Sequence, residues 1–181
     1  MKKLLALLLA VVMLLSFAAC GGNDDDEEEA STYKTAVEIY EKLLNGKSSE
    51  LKKSLPNAYW DDLEENADMS YDDAKEQFED MMDDMLDYYG DSYKAKIKIL
   101  EKEKLDKDDL AELAEQICDQ YDYIDEDDIS EAYVLELELS MTSDVENNTD
   151  EETYMAIKLG DDWYLVDDYG NFAMDMFGQW G

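Results

Sequence analysis

The hydrophobic period changes at Gly90. Before it, Tyr71, Ala74, Phe78, Met81, Met82, Met85 and Tyr89 recur at helical spacing. After it, Tyr93, Ala95, Ile97 and Ile99 alternate with Lys94, Lys96 and Lys98, the pattern of a half-buried strand. One chain must therefore hold an amphipathic helix and a sheet with a wet face. Ser70 and Asp73 have capping-box spacing at the start of that helix, and Gly90 stops it. A Met-rich stripe of this kind reads as core rather than as a peptide groove.

The same two periods organise the rest. Thr35-Ala36-Val37-Glu38 has capping-box spacing, with Ser31 or Thr32 as an earlier start. Ala36, Ile39, Tyr40, Leu43 and Leu44 form a stripe that ends at Asn45-Gly46. Short helical segments are expected from Glu50 to Leu55, closed by Pro56, and from Asn57 through Trp60 and Leu63. Asp106 or Asp108 caps a helix carrying Leu110, Leu113, Ala114, Ile117 and Tyr121. Three strands follow: Tyr133 to Met141, Met155 to Leu159, and Trp163 to Val166. Asp122–Asp128 is read as an acidic loop before them, and Ser143–Glu152 as a loop between the first two. Helices clustered before antiparallel strands give an α+β fold, with N-terminal helices on a curved, mostly antiparallel four-stranded sheet. Lys96 and Lys98 on the first strand, Glu136 and Glu138 on the second and Lys158 on the third complement one another. The second strand is therefore expected between the first and third.

Two registers compete in the last hairpin. A two-residue Gly160-Asp161 loop pairs Lys158 with Trp163 and puts Trp163 and Leu165 outside. A three-residue loop, Gly160 to Asp162, turns Trp163, Leu165 and Asp167 inward, because a one-residue slip flips every side chain. Burial of Trp163 and Leu165 selects the three-residue loop.

Composition removes whole classes of chemistry. The 181 residues contain 49 Asp+Glu against 15 Lys+Arg, a formal charge of −34, and no His. Every one of those cations is Lys. Without His no Ser-His or Cys-His catalytic pair exists, and no Cys/His metal set. Neither a Walker loop nor GxGxxG is present, so no cofactor is expected. The acidity argues against nucleic acid as a partner, and against electrostatic docking on anionic lipid. Pairs of carboxylates arise by chance at this frequency and select no catalytic acid.

The first thirty residues read as export and tether. Lys2 and Lys3 precede an unbroken apolar run, Leu4 to Leu15, and Ser16-Phe17-Ala18-Ala19-Cys20 ends it. The run is too short for a comfortable membrane span. Gly21 to Ala30, GGNDDDEEEA, self-repels and extends. The segment through Cys20 resembles a bacterial lipoprotein signal, with Phe17 where Leu is usual. The resemblance implies cleavage after residue 19 and acyl chains such as palmitate on Cys20. It places the protein on the extracytoplasmic face of the cell membrane, lipid-anchored through chains that hold more stably than one myristoyl group. Cys118 is then left without a disulfide partner and reads as a buried, inert thiol.

The order helices, strand, helix and three-stranded meander, closing on GDDWYLVDD, resembles small bacterial lipoproteins of the nuclear-transport-factor-like, or cystatin-like, superfamily. The resemblance covers roughly residues 31–170. The helix between the first two strands and the helical insert near Trp60 depart from it. It implies a cone of sheet around a long helix, often with a pocket at the open end, and no particular chemistry. The expected organisation is a signal at 1–19, a lipidated Cys20 and tether at 20–30, an α+β domain at 31–170 and an apolar tail at 171–181.

Candidate pocket or interface residues are Tyr133, Trp163, Tyr164, Leu165 and Asp167, with Tyr154 and Trp180 as further aromatics. They line a ligand site, or fill the core and a homodimer face on the sheet. The expected role is non-enzymatic binding of a protein or small ligand at the envelope. The alternative is an isomerase- or dehydratase-like pocket enzyme using Asp167 as base, since a carboxylate in an apolar cone has a raised pKa. The plainer reading of Asp167 places it in water at the strand end.

Overall fold

The computed structural model describes residues 32–175. Helix α1 (Tyr33–Leu44) starts at Thr32, whose N–H donates to Thr35 Oγ1 at 3.2 Å. A 3-10 turn (Ser48–Glu50) and α2 (Leu51–Ser54) follow. Then come α3 (Asn57–Ala67), after Pro56, and α4 (Tyr71–Tyr89), capped by Ser70. Strand β1 (Lys94–Lys104) leads into α5 (Lys107–Cys118), where Asp106 Oδ1 accepts from the N–H groups of Asp108 and Asp109. Strands β2 (Ile129–Thr142), β3 (Asn147–Leu159) and β4 (Asp162–Val166) complete an antiparallel sheet of order β1-β2-β3-β4. The α+β class and the central place of the second strand stand as expected.

The sheet is covered on both faces toward β4. On one face, Leu135, Leu137, Ala156, Trp163 and Leu165 pack under Ala36 and Val37 of α1. On the other, Ala132, Ile157, Tyr164 and Val166 join Leu113, Ala114 and Ile117 of α5. That second cluster runs on into Leu51, Leu55, Trp60, Phe78 and Met82 of the helical region. Met81, counted into the α4 stripe, is 41% exposed: Ala74, Phe78 and Met82 already make the buried face.

The hairpin takes the register that burial argued against. Lys158 pairs with Trp163 and Leu159 with Asp162, so the loop is Gly160-Asp161. Gly160 has φ +63° and Asp161 has no positive φ, as a type II′ turn requires. The expectation failed because it assumed one dry face. Trp163, Tyr164, Leu165 and Val166 are all buried, so burial favours neither register and turn chemistry decides.

Two further expectations change. The segment from Asn147 to Glu152 is strand, not loop: Ser140 pairs with Thr149 and Leu139 with Asp150. Its backbone is held by the central strand, although none of these side chains is buried. Lys158 lies opposite Glu131, not opposite Glu136 or Glu138, because β3 begins earlier than its apolar residues suggest. Lys98 does face Glu138, with Nζ 3.9 Å from Oε1.

Candidate functional site

Strand β1 changes face half-way. Ala95, Ile97 and Ile99 pair with Met141, Leu139 and Leu137, and a bulge at Leu100 then inserts one residue. Beyond it, Lys102 and Lys104 pair with Leu135 and Tyr133, which belong to the α1 face, while Glu101 and Glu103 pair with Glu136 and Val134 on the other. Without the bulge the lysines from Lys94 to Lys104 would share one face. With it, Lys102 and Lys104 are turned to the α1 face instead.

There they meet an aromatic group. Tyr33 and Tyr133 have ring centroids 5.0 Å apart, and Tyr133 and Trp163 5.7 Å. Tyr33 meets Trp163 edge-on at 6.4 Å. Lys102 Nζ lies 4.8 Å from the centre of the Tyr33 ring and donates to its hydroxyl at 2.8 Å, which raises the lysine pKa. Lys104 Nζ stands 5.8 Å from the Tyr133 ring centre and is paired with Glu131, which raises its pKa too. Cations over these ring faces are attracted by the ring quadrupole. The arrangement is a lysine-rimmed aromatic surface at the end of the sheet where α1 begins.

Of the five expected residues, Tyr133, Trp163 and Leu165 come together on this face. Tyr164 points to the opposite face, packs edge-on to Phe172 at 6.0 Å, and has its hydroxyl pushed up to about 12 by burial, then by Asp162. Asp167 lies in a turn. Its Oδ1 accepts from the N–H groups of Tyr169 at 2.8 Å and Asn171 at 2.9 Å, and its Oδ2 from Asn171 Nδ2 at 3.0 Å. That turn folds residues 171–175 back along β4, where Ala173 N donates to Leu165 O and Phe172 bridges Val166.

The residues expected as a tail thus begin inside the core. Phe172 and Met174 are buried, and Asp175 accepts from Tyr59 Oη at 2.8 Å and Tyr121 Oη at 2.7 Å. Both tyrosine hydroxyls are pushed up, foremost by burial and then by Asp175. Trp180, like Cys20, lies outside the described residues. Tyr154 shares a 3.1 Å hydrogen bond with Tyr40 and donates to Glu152 at 3.0 Å. Cys118 is half-buried, and burial followed by the charges of Glu126 and Asp125 pushes its thiol up, so it stays protonated near neutral pH.

The space between α1 and β4 is small. A cavity of about 10 Å³, room for one water, is lined by Ile39, Tyr40, Trp163, Leu165, Ala173 and Met174, with Lys53 and Ser54 at its side. Among the described residues, no group of three or more His, Cys, Asp or Glu is placed to hold a metal ion. No helix among them is long and apolar enough to cross a membrane.

Sequence reasoning missed Tyr33, Lys102 and Lys104. The available signal was Ile99-Leu100, two apolar residues in succession where the alternation breaks, which is how a bulge reads in a strand.

No protein-family model, curated protein or solved structure matches this chain.

Proposed function

We propose that the protein is an exported lipoprotein, held at the extracytoplasmic face of the membrane through Cys20, whose acidic domain binds a partner at the envelope without catalysing a reaction. The anchoring half rests on the apolar run ending in Ala18-Ala19-Cys20. The binding half is carried by one observation: the space beneath α1, where a pocket enzyme would hold its substrate, is filled by Trp163, Leu165, Val37 and Tyr133 down to a single-water cavity. Asp167, the residue available to a base mechanism, spends its carboxylate on the turn after β4. Ligand pockets are ordinarily tens of times larger than this cavity.

Two measurements test the halves separately. Cys20→Ser should abolish acyl labelling and release the chain from the membrane fraction; unchanged labelling would overturn the anchor. Cross-linking on intact cells should trap the chain with a defined envelope partner. Recovery of the chain alone, together with turnover of a small substrate that Asp167→Asn abolishes, would replace binding with catalysis.

A further inference from the structure

β1 is an edge strand, and its two halves are finished differently. In the first half, α1 covers the edge: Asn45 Oδ1 accepts from Ala95 N at 3.0 Å, Asn45 Nδ2 donates to Ala95 O at 2.9 Å, and Glu41 Oε2 accepts from Ile97 N at 2.7 Å. Past the bulge this stops. Among the described residues, no side chain is hydrogen-bonded to the backbone from Lys98 to Lys104. An unpaired strand edge is a template for another strand.

Charge selects what can pair there. Directly opposite residues of antiparallel strands share a face. The open half carries Lys102 and Lys104 on the α1 face and Glu101 and Glu103 on the other. A second copy laid antiparallel on this edge would set Lys against Lys and Glu against Glu, so the homodimer through this edge is disfavoured. A strand with acids on the α1 side and bases on the other would meet opposite charges at each position.

We propose that the open half of the β1 edge, Leu100–Lys104, receives an extended segment of a partner protein in which acidic and basic residues alternate, its carboxylates meeting Lys102 and Lys104 beside Tyr33 and Tyr133. This deepens the binding role above by naming its surface and the chemistry of its partner.

The test uses the purified full chain in detergent and two ten-residue peptides of equal Glu and Lys content, one strictly alternating and one with the charges in two blocks. Neither peptide carries net charge, so the acidity of the chain does not steer the comparison. The alternating peptide should bind, and amide exchange should slow across residues 100–104. K102E/K104E should weaken binding about tenfold, as reversing two cross-strand pairs predicts. Adding E101K/E103K should restore it, because the peptide then slides by one residue. Equal binding of the block peptide, no effect of K102E/K104E, or protection only at β4 would overturn the proposal. So would tighter peptide binding by a chain lacking residues 21–30, which would give the edge to the chain's own acidic segment. The assay needs no anchoring and no natural partner. Its failure therefore leaves the envelope reading standing, and loss of acylation leaves the edge reading standing.

Discussion

Lys158 stands directly across the last hairpin from Trp163, on the same face of the sheet. Trp163 is nevertheless only 6% exposed, because Tyr33 and Tyr133 close over it. Trp163→Ala should therefore cost about 3–5 kcal/mol, the range for truncating a core aromatic. Urea unfolding measures it. A loss under about 1 kcal/mol would mean that the ring is not part of the core.

The docking of residues 171–175 should be worth as much as a core element. A chain ending at Gly170 loses Phe172, Met174 and the carboxylate between Tyr59 and Tyr121. It should fail to unfold cooperatively, whereas Tyr121→Phe should fold and lose about 1–3 kcal/mol for the hydrogen bonds removed. A cooperative melt of the shortened chain at the full-length temperature would contradict this.

Two glycines with positive φ should differ on substitution. Gly160 (φ +63°) has open space where a Cβ would go, so Gly160→Ala meets only backbone strain, about 1–3 kcal/mol. At Gly170 (φ +84°) a Cβ would lie 3.3 Å from Ile117 Cγ1 and 3.2 Å from Gln120 Nε2. Gly170→Ala should lower the melting temperature further than Gly160→Ala, and the reverse order would be inconsistent with the packing of the turn on α5.

Alkaline pH should unfold the protein through its tyrosines. Tyr164 is held neutral up to about 12, and Tyr59, Tyr121, Tyr123 and Tyr154 are also raised, each foremost by burial. An unfolded chain ionises near the ordinary value of about 10 and so releases protons first. Stability is full below that pH and falls as pH rises toward 12. Tyrosinate absorbance and circular dichroism should change together over this window. Tyrosinate appearing without loss of structure would speak against burial.

Salt should stabilise the fold at pH 7. The described residues hold four Lys–carboxylate pairs, few against a formal charge of −34. Self-repulsion among the remaining acids is long-ranged and is screened at about 0.1 M. The melting temperature should rise between low and moderate salt, and a flat profile would show that the acids are spaced too widely to matter.

Elements that carry their own hydrophobic signal were legible in the sequence. Ser70 and Asp73 marked the start of α4, Asp106 was one of two caps read for α5, and a turn at Gly160 was expected in the last hairpin, though with one residue too many. What was hidden depends on partners distant in sequence. Asn147 to Thr153 has no apolar pattern and becomes strand only because β2 supplies its hydrogen bonds. The tail's role needed Tyr59 and Tyr121, 116 and 54 residues away from Asp175. For the candidate site, Trp163 and Tyr133 were readable as an aromatic pair, but the Leu100 bulge that brings Lys102 and Lys104 to them breaks the very alternation used to find strands. The choice of hairpin register failed for a related reason: periodicity marked two sets of side chains in β4, and nothing local said that both were covered.

The sheet is unevenly sheltered along its length. Near the Gly160 hairpin its side chains are enclosed on both sides, while the seven residues of β3 from Asn147 to Thr153 are all exposed. β1 is pinned at that end by Asn45 and Glu41, whereas β3 has only its ladder with β2, and a strand so held comes apart from its loose end. The tip between Ser143 and Glu146 is thus where the native state should fray first, and a protease should nick the chain there long before the region around Trp163 opens. A cut at that tip leaves two fragments whose shared core is intact, so the cleaved protein should stay associated and folded, with the tether and the β1 edge on one piece and the aromatic hairpin on the other.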